Sequence, residues 1–121
     1  MPFVSQLVGL PVVGAEGDRL GTLRDLVVRL EEPDYPSVTG LVVRADRRDY
    51  FVAIGDAAEL SEARIRLGRA SLSTQEFARR DGEVLLERDI LDRQLIDVRR
   101  ARVIRANDAA VDLVDGRWCL V

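Results

Sequence analysis

The chain has 121 residues and a mass of 13.5 kDa, is 47% hydrophobic and 32% charged, and carries a formal net charge of −3. That composition fits a folded chain with one ordinary core, arranged as one or two small modules, and excludes a disordered one. All 18 basic side chains are arginine because the sequence contains neither His nor Lys, which removes most of the usual proton carriers and argues against an enzyme.

From the N-terminus, Pro11, Val12 and Val13 lead into Gly14-Ala15-Glu16-Gly17-Asp18, whose glycines and acids suit a tight hairpin turn. The apolar segment from Leu20 to Leu30 follows. Leu26, Val28 and Leu30 share one face and Arg29 points away, which is strand periodicity, and Gly21 with the dense β-branched residues speaks against a helix. Residues 31–37 hold Pro33 and Pro36 and read as a loop. Strands are expected over Val38 to Arg44 and Tyr50 to Ile54. A short helical turn is expected from Gly55 to Leu60 with Asp56 as its N-cap, then a half-buried strand from Arg64 to Leu67.

The first module spans residues 4–70 and the polar stretch 71–82 is the candidate linker. Beyond it the pattern starts again. Adding 83 to positions 7–30 pairs Val12 with Leu95, Val13 with Ile96 and Leu20 with Val103, and makes Arg19/Arg102, Asp25/Asp108, Val28/Val111 and Leu30/Leu113 identical. The second unit, 83–121, closes on a hairpin about Asp115-Gly116 and supplies fewer strands than the first. Its missing cover must come from the first module, from another subunit or from further sequence. A two-fold homodimer is the expected arrangement.

The longest apolar runs are four or five residues, too short to cross a bilayer, and Met1 to Val4 lack the features of a signal peptide, so a cytoplasmic chain without membrane insertion is expected. With 18 basic against 21 acidic residues, nucleic acid is not an expected partner. The single Cys119 excludes an internal disulfide and, without His, an ordinary zinc site; it reads as a small apolar residue in the last strand.

Three runs carry a resemblance: Leu7-Val8-Gly9-Leu10-Pro11-Val12-Val13, then residues 17–28 from Gly17-Asp18-Arg19-Leu20-Gly21 onward, then Val38-Thr39-Gly40-Leu41-Val42-Val43. Together they resemble the PRC-barrel family, small β-barrels found in the photosynthetic reaction centre H subunit, in a ribosome maturation factor and as attached domains. The resemblance implies a mostly β fold, a small PRC-type barrel followed by a second, partial barrel-like repeat. Residues 82–86, 89–97 and 102–108 are similar to the barrel region of bacterial proteins related to magnesium transporters and CBS-domain proteins. This implies a non-catalytic regulatory or scaffolding role toward protein partners or adjacent domains of a longer chain. An RNA- or ribosome-associated module is the alternative.

Among individual residues, Gly17 is expected to supply a positive φ in the turn and Gly21 to allow close backbone approach in a bent strand. Asp25 and Asp108, at equivalent positions in apolar strands, are expected to bond to turn amides or to Arg19 and Arg102. Arg99, Arg100, Arg102 and Arg105 form the basic cluster; with Trp118 they make a possible interaction surface, read otherwise as plain surface charge and a core ring. The scattered loop carboxylates have no metal-ligand spacing, and the serines have no activating base. No cofactor, metal or catalytic residue is expected.

Overall fold

The computed structural model describes residues 2–29, 36–72, 76–78, 80, 82–91, 94–97, 102–105 and 110–120, without the side chains of 90, 91, 94–97 and 102–105. A short helix, α1 (Val4–Leu7), leads into β1 (Pro11–Val13) and the long β2 (Arg19–Arg29), then β3 (Ser37–Ala45) and β4 (Arg48–Ala53). A 3-10 turn (Ile54–Asp56) precedes β5 (Ala57–Leu60) and β6 (Ile65–Leu67). Later come β7 (Glu83–Leu85), a wide π turn (Leu86–Leu91), β8 (Gln94–Asp97), β9 (Arg102–Arg105), β10 (Val111–Val114) and β11 (Arg117–Leu120).

The long strands β2 and β3 form the central antiparallel ladder, and each takes two shorter strands in tandem along its other edge. On β2, Gly21 faces Val12 of β1 while Val27 to Arg29 face Leu85 to Glu83 of β7. On β3, Gly40 to Ala45 face β4 and Ser37 faces Cys119 of β11. Nine strands thus belong to one curled, barrel-like sheet, closed further by parallel pairing of β1 with β6. The fold is mostly β, as the sequence resemblance implied.

At its far end β2 alternates in face but is buried on both sides. Leu26 and Val28 enter the main core with Leu23, Leu41, Val43 and Ile65, yet Val27 is also fully buried, on the opposite face with Val42 and Leu85. Phe51 and Phe77 cover that outer cluster. The described part of 71–82 therefore lies against the sheet: Leu72 packs on the main core and Glu76 bridges to Tyr50.

Two local expectations change. Residues 55–60 are not a helical turn capped by Asp56: the turn begins earlier, at Ile54, and residues 57–60 are a strand because β6 pairs with them. Asp56 instead accepts the Gly68 N–H on its carbonyl at 2.8 Å and sets its carboxylate 3.6 Å from Arg69. Helix α1 was not expected; its start is held by the Gln6 Oε1, which accepts the Phe3 N–H at 2.9 Å.

The two hairpins at an offset of 83 share their register. Pro11↔Thr22 and Val12↔Gly21 correspond to Gln94↔Arg105 and Leu95↔Ile104, and they part company at the bulge between Val12 and Val13. Each hairpin is preceded by a helical turn, α1 or Leu86–Leu91. The segment before each turn crosses to the other half: 83–85 pairs with 27–29, and Phe3 bridges to Ala110 while the Pro2 carbonyl accepts the Val111 N–H at 3.0 Å. Val111 and Cys119 are fully buried, and Trp118 and Leu120 pack on the main core, so the first half supplies the cover for these residues. Strands β8 and β9 stand apart as a two-stranded sheet among the described strands.

Candidate functional site

Gly17 and Gly21 serve the fold. Gly17 has φ 91°, and its N–H donates to the Gly14 carbonyl at 3.0 Å inside the β1–β2 turn. A Cβ on Gly21 would stand 2.5 Å from the Arg44 carbonyl oxygen and 2.8 Å from Val43 Cγ1, which is the close approach expected of this position.

Asp25 lies in β2 with only 4% of its surface exposed. Its Oδ1 accepts the Leu26 and Glu87 N–H groups, both at 2.8 Å, and its Oδ2 accepts the Arg88 N–H at 3.0 Å. One side chain of the first half thereby fastens the start of the π turn that opens the second. Arg19 is not its partner, contrary to one of the two expectations, because that guanidinium reaches Thr22 Oγ1 at 2.9 Å. Burial pushes the Asp25 carboxyl above its ordinary value, and the Asp89 charge adds to this; the three amide bonds act against the rise without cancelling it.

Around Asp25 opens a cleft of about 320 Å³ on the outer face of the sheet. Val42, Phe77 and Leu85 provide apolar wall, and Arg24, Arg44 and Arg88 stand about it. Arg44 is taken up by Asp49 through Nε at 2.8 Å and Nη2 at 3.2 Å, and this partner holds the guanidinium pKa above its usual range. Sequence reading missed this cleft. Arg24 was not singled out within the apolar segment 20–30, and Phe77 sat in a stretch read as linker.

A second concavity, of about 570 Å³, runs along the β3 start and the final hairpin between Val38, Ile54, Ala57 and Trp118. Leu113 borders it with 54% of its surface exposed. Trp118 is therefore half-buried, one side on the core and the other in this groove. Arg117, not one of the expected arginines, lies beside it.

The rest of the expected cluster is not joined to Trp118 by any described contact. Arg99, Arg100 and Asp108 lie outside the described residues, and of Arg102 and Arg105 only the backbone in β9 is placed. Among the described residues no group of three or more His, Cys, Asp or Glu could hold a metal ion, and no helix is long and apolar enough to cross a membrane. The family model described as the PRC-barrel domain matches residues 2–62, about half of the chain. No curated protein and no solved structure matches the chain.

Proposed function

Because the chain belongs to the PRC-barrel domain family, we propose that it is a non-catalytic docking module that binds another protein or an adjoining domain of a longer chain. The observation that carries this reading is Leu113. More than half exposed, it continues the apolar lining of a groove formed by Val38, Ile54, Ala57 and Trp118, and a contiguous apolar surface of this kind is what a protein partner covers. Leu113 is not among the described residues that form the main core or pack against it. The cytoplasmic region of magnesium-transporter-like proteins is the setting put forward, on the sequence resemblance of residues 82–86, 89–97 and 102–108.

A photo-reactive amino acid at position 113, with the same group at exposed Arg64 as control, tests the reading in the producing cell. One protein captured in high yield from position 113 and not from 64 is the expected result. Equal labelling at both positions, or none, would overturn it.

Self-association belongs to the same proposal and is supported by the β8–β9 hairpin. A two-stranded sheet is marginal on its own, and these strands, rich in Leu95, Ile96, Val103 and Ile104, have no third strand among the described residues. Pairing with a second copy about a two-fold axis would supply one. Light scattering over a range of concentrations is expected to report a dimer; a monomer throughout refutes this part.

A further inference from the structure

The cleft beside Asp25 has an excess of unmet donors. Neighbouring residues of a strand ordinarily face opposite sides of the sheet, yet Arg24 and Asp25 line the same cleft. The cause is the bulge in β2: Leu23 faces Val43 and Asp25 faces Val42, so Arg24 is the extra residue with no partner across the ladder. The π turn brings Arg88 to the same opening.

The acceptors at the cleft are already committed. Both Asp25 oxygens receive backbone N–H groups, both Asp49 oxygens bond to Arg44, and Glu87 has a partner of its own. Among the described residues, Arg24 and Arg88 take part in none of the ion pairs. A guanidinium presents a planar fork of donors that matches a carboxylate. The apolar wall of Val42, Phe77 and Leu85 gives the cleft a second character that a bare anion would leave unused. Its 320 Å³ is at the small end for ligand sites and suits one or two side chains more than a cofactor.

We infer that this cleft takes an acidic segment of a partner protein, its carboxylate held by Arg24 and Arg88 and a neighbouring apolar side chain laid on Phe77. The inference rests on the docking function and names the chemistry of the partner. It concerns a different surface from the Leu113 groove, so the two tests fail separately: a partner captured at position 113 with an inert cleft would leave the docking function standing and remove this site.

The experiment is an amide NMR titration of the full chain with the capped peptide acetyl-Glu-Leu-Glu-amide, run beside acetyl-Gln-Leu-Gln-amide and inorganic phosphate. Saturable shifts at residues 24, 25, 44, 77, 87 and 88 are expected with the Glu peptide and not with the Gln peptide. They are expected to weaken with added KCl, as a partly exposed charge contact should. The double variant Arg24→Gln/Arg88→Gln, at two exposed positions, is expected to lose about tenfold or more in affinity with an unchanged melting midpoint. Arg88→Lys, which keeps the charge and loses the fork, is expected to fall between. Equal binding of the Gln peptide, phosphate binding as well as the Glu peptide does, no saturable shift, or an unaffected double variant would each overturn the inference.

Discussion

Replacing Gly21 with alanine puts a single methyl group where β2 passes closest to β3. The new Cβ would lie 2.5 Å from the Arg44 carbonyl oxygen, and ordinary contact begins near 3.4 Å, so the strands must part by most of an ångström. The obstacle is backbone that is tied into both the β2–β3 and the β3–β4 ladders, so no side-chain rotation relieves it. Overpacking of this kind costs about 1–3 kcal/mol. Alanine recovers roughly 0.5–1 kcal/mol by restricting the unfolded chain, which leaves a net loss of about 1–2 kcal/mol. For a domain of this size that lowers the melting midpoint by about 4–8 °C. Valine, whose branches also meet Val43 Cγ1, is expected to lose about 3 kcal/mol. Thermal and urea unfolding followed by circular dichroism provide the assay. Gly55→Ala is the control: nothing lies within 4 Å of the place its new methyl group would take, so only the unfolded-chain gain of roughly 0.5–1 kcal/mol remains and it should melt about 2–4 °C above the wild type. A Gly21→Ala midpoint equal to that of Gly55→Ala would refute the close approach.

Three further outcomes are expected. The raised Asp25 carboxyl means that the folded state binds its proton more tightly than the unfolded chain, so this group's contribution to stability is largest at low pH. It declines as pH rises from the ordinary value of 3.8 through the folded value; urea melts at several pH values should show the wild-type curve falling relative to Asp25→Asn across that window, and parallel curves would contradict it. Asp108, the counterpart of Asp25 at the 83-residue offset, is expected to cost about 1–3 kcal/mol when changed to alanine; a loss below about 0.5 kcal/mol would mark it as ordinary surface. Calorimetry with MgCl₂ is expected to give only weak, unsaturable heats, and a site of micromolar affinity would overturn the reading of the loop carboxylates as solvated.

The elements most legible in the sequence were those whose cause is local. Gly17 carries its turn because of its own φ, and the Asp115-Gly116 pair makes the two-residue turn of β10–β11. The strands 19–29, 37–45 and 48–53 follow from β-branched residues and alternation. What escaped was set by partners distant in the chain. Residues 57–60 became a strand because β6 was there to pair with them, and Val27 was buried on the second face because Leu85 and Phe77 return to cover it. Asp25 was recognised as a structural acid, but the amides that donate to it, 62 and 63 residues later, left no mark in its own neighbourhood. The Arg24 cleft depends on one bulge, and a single extra residue in a strand leaves no periodic signal.

The crossing of each half's leading segment to the other half has a consequence for how the chain comes off the ribosome. Strand β3 is complete at Ala45, yet the strand beside its beginning, β11, is not made until Arg117–Leu120. Edges of β2 and β3 therefore wait, unpaired, through most of synthesis, and Phe3 waits for Ala110. Such distant pairings make folding slow and leave the nascent chain open to wrong partners. A fragment ending where the family match ends, at residue 62, would keep those edges bare permanently, and its sticking to itself would say nothing about how the whole chain assembles.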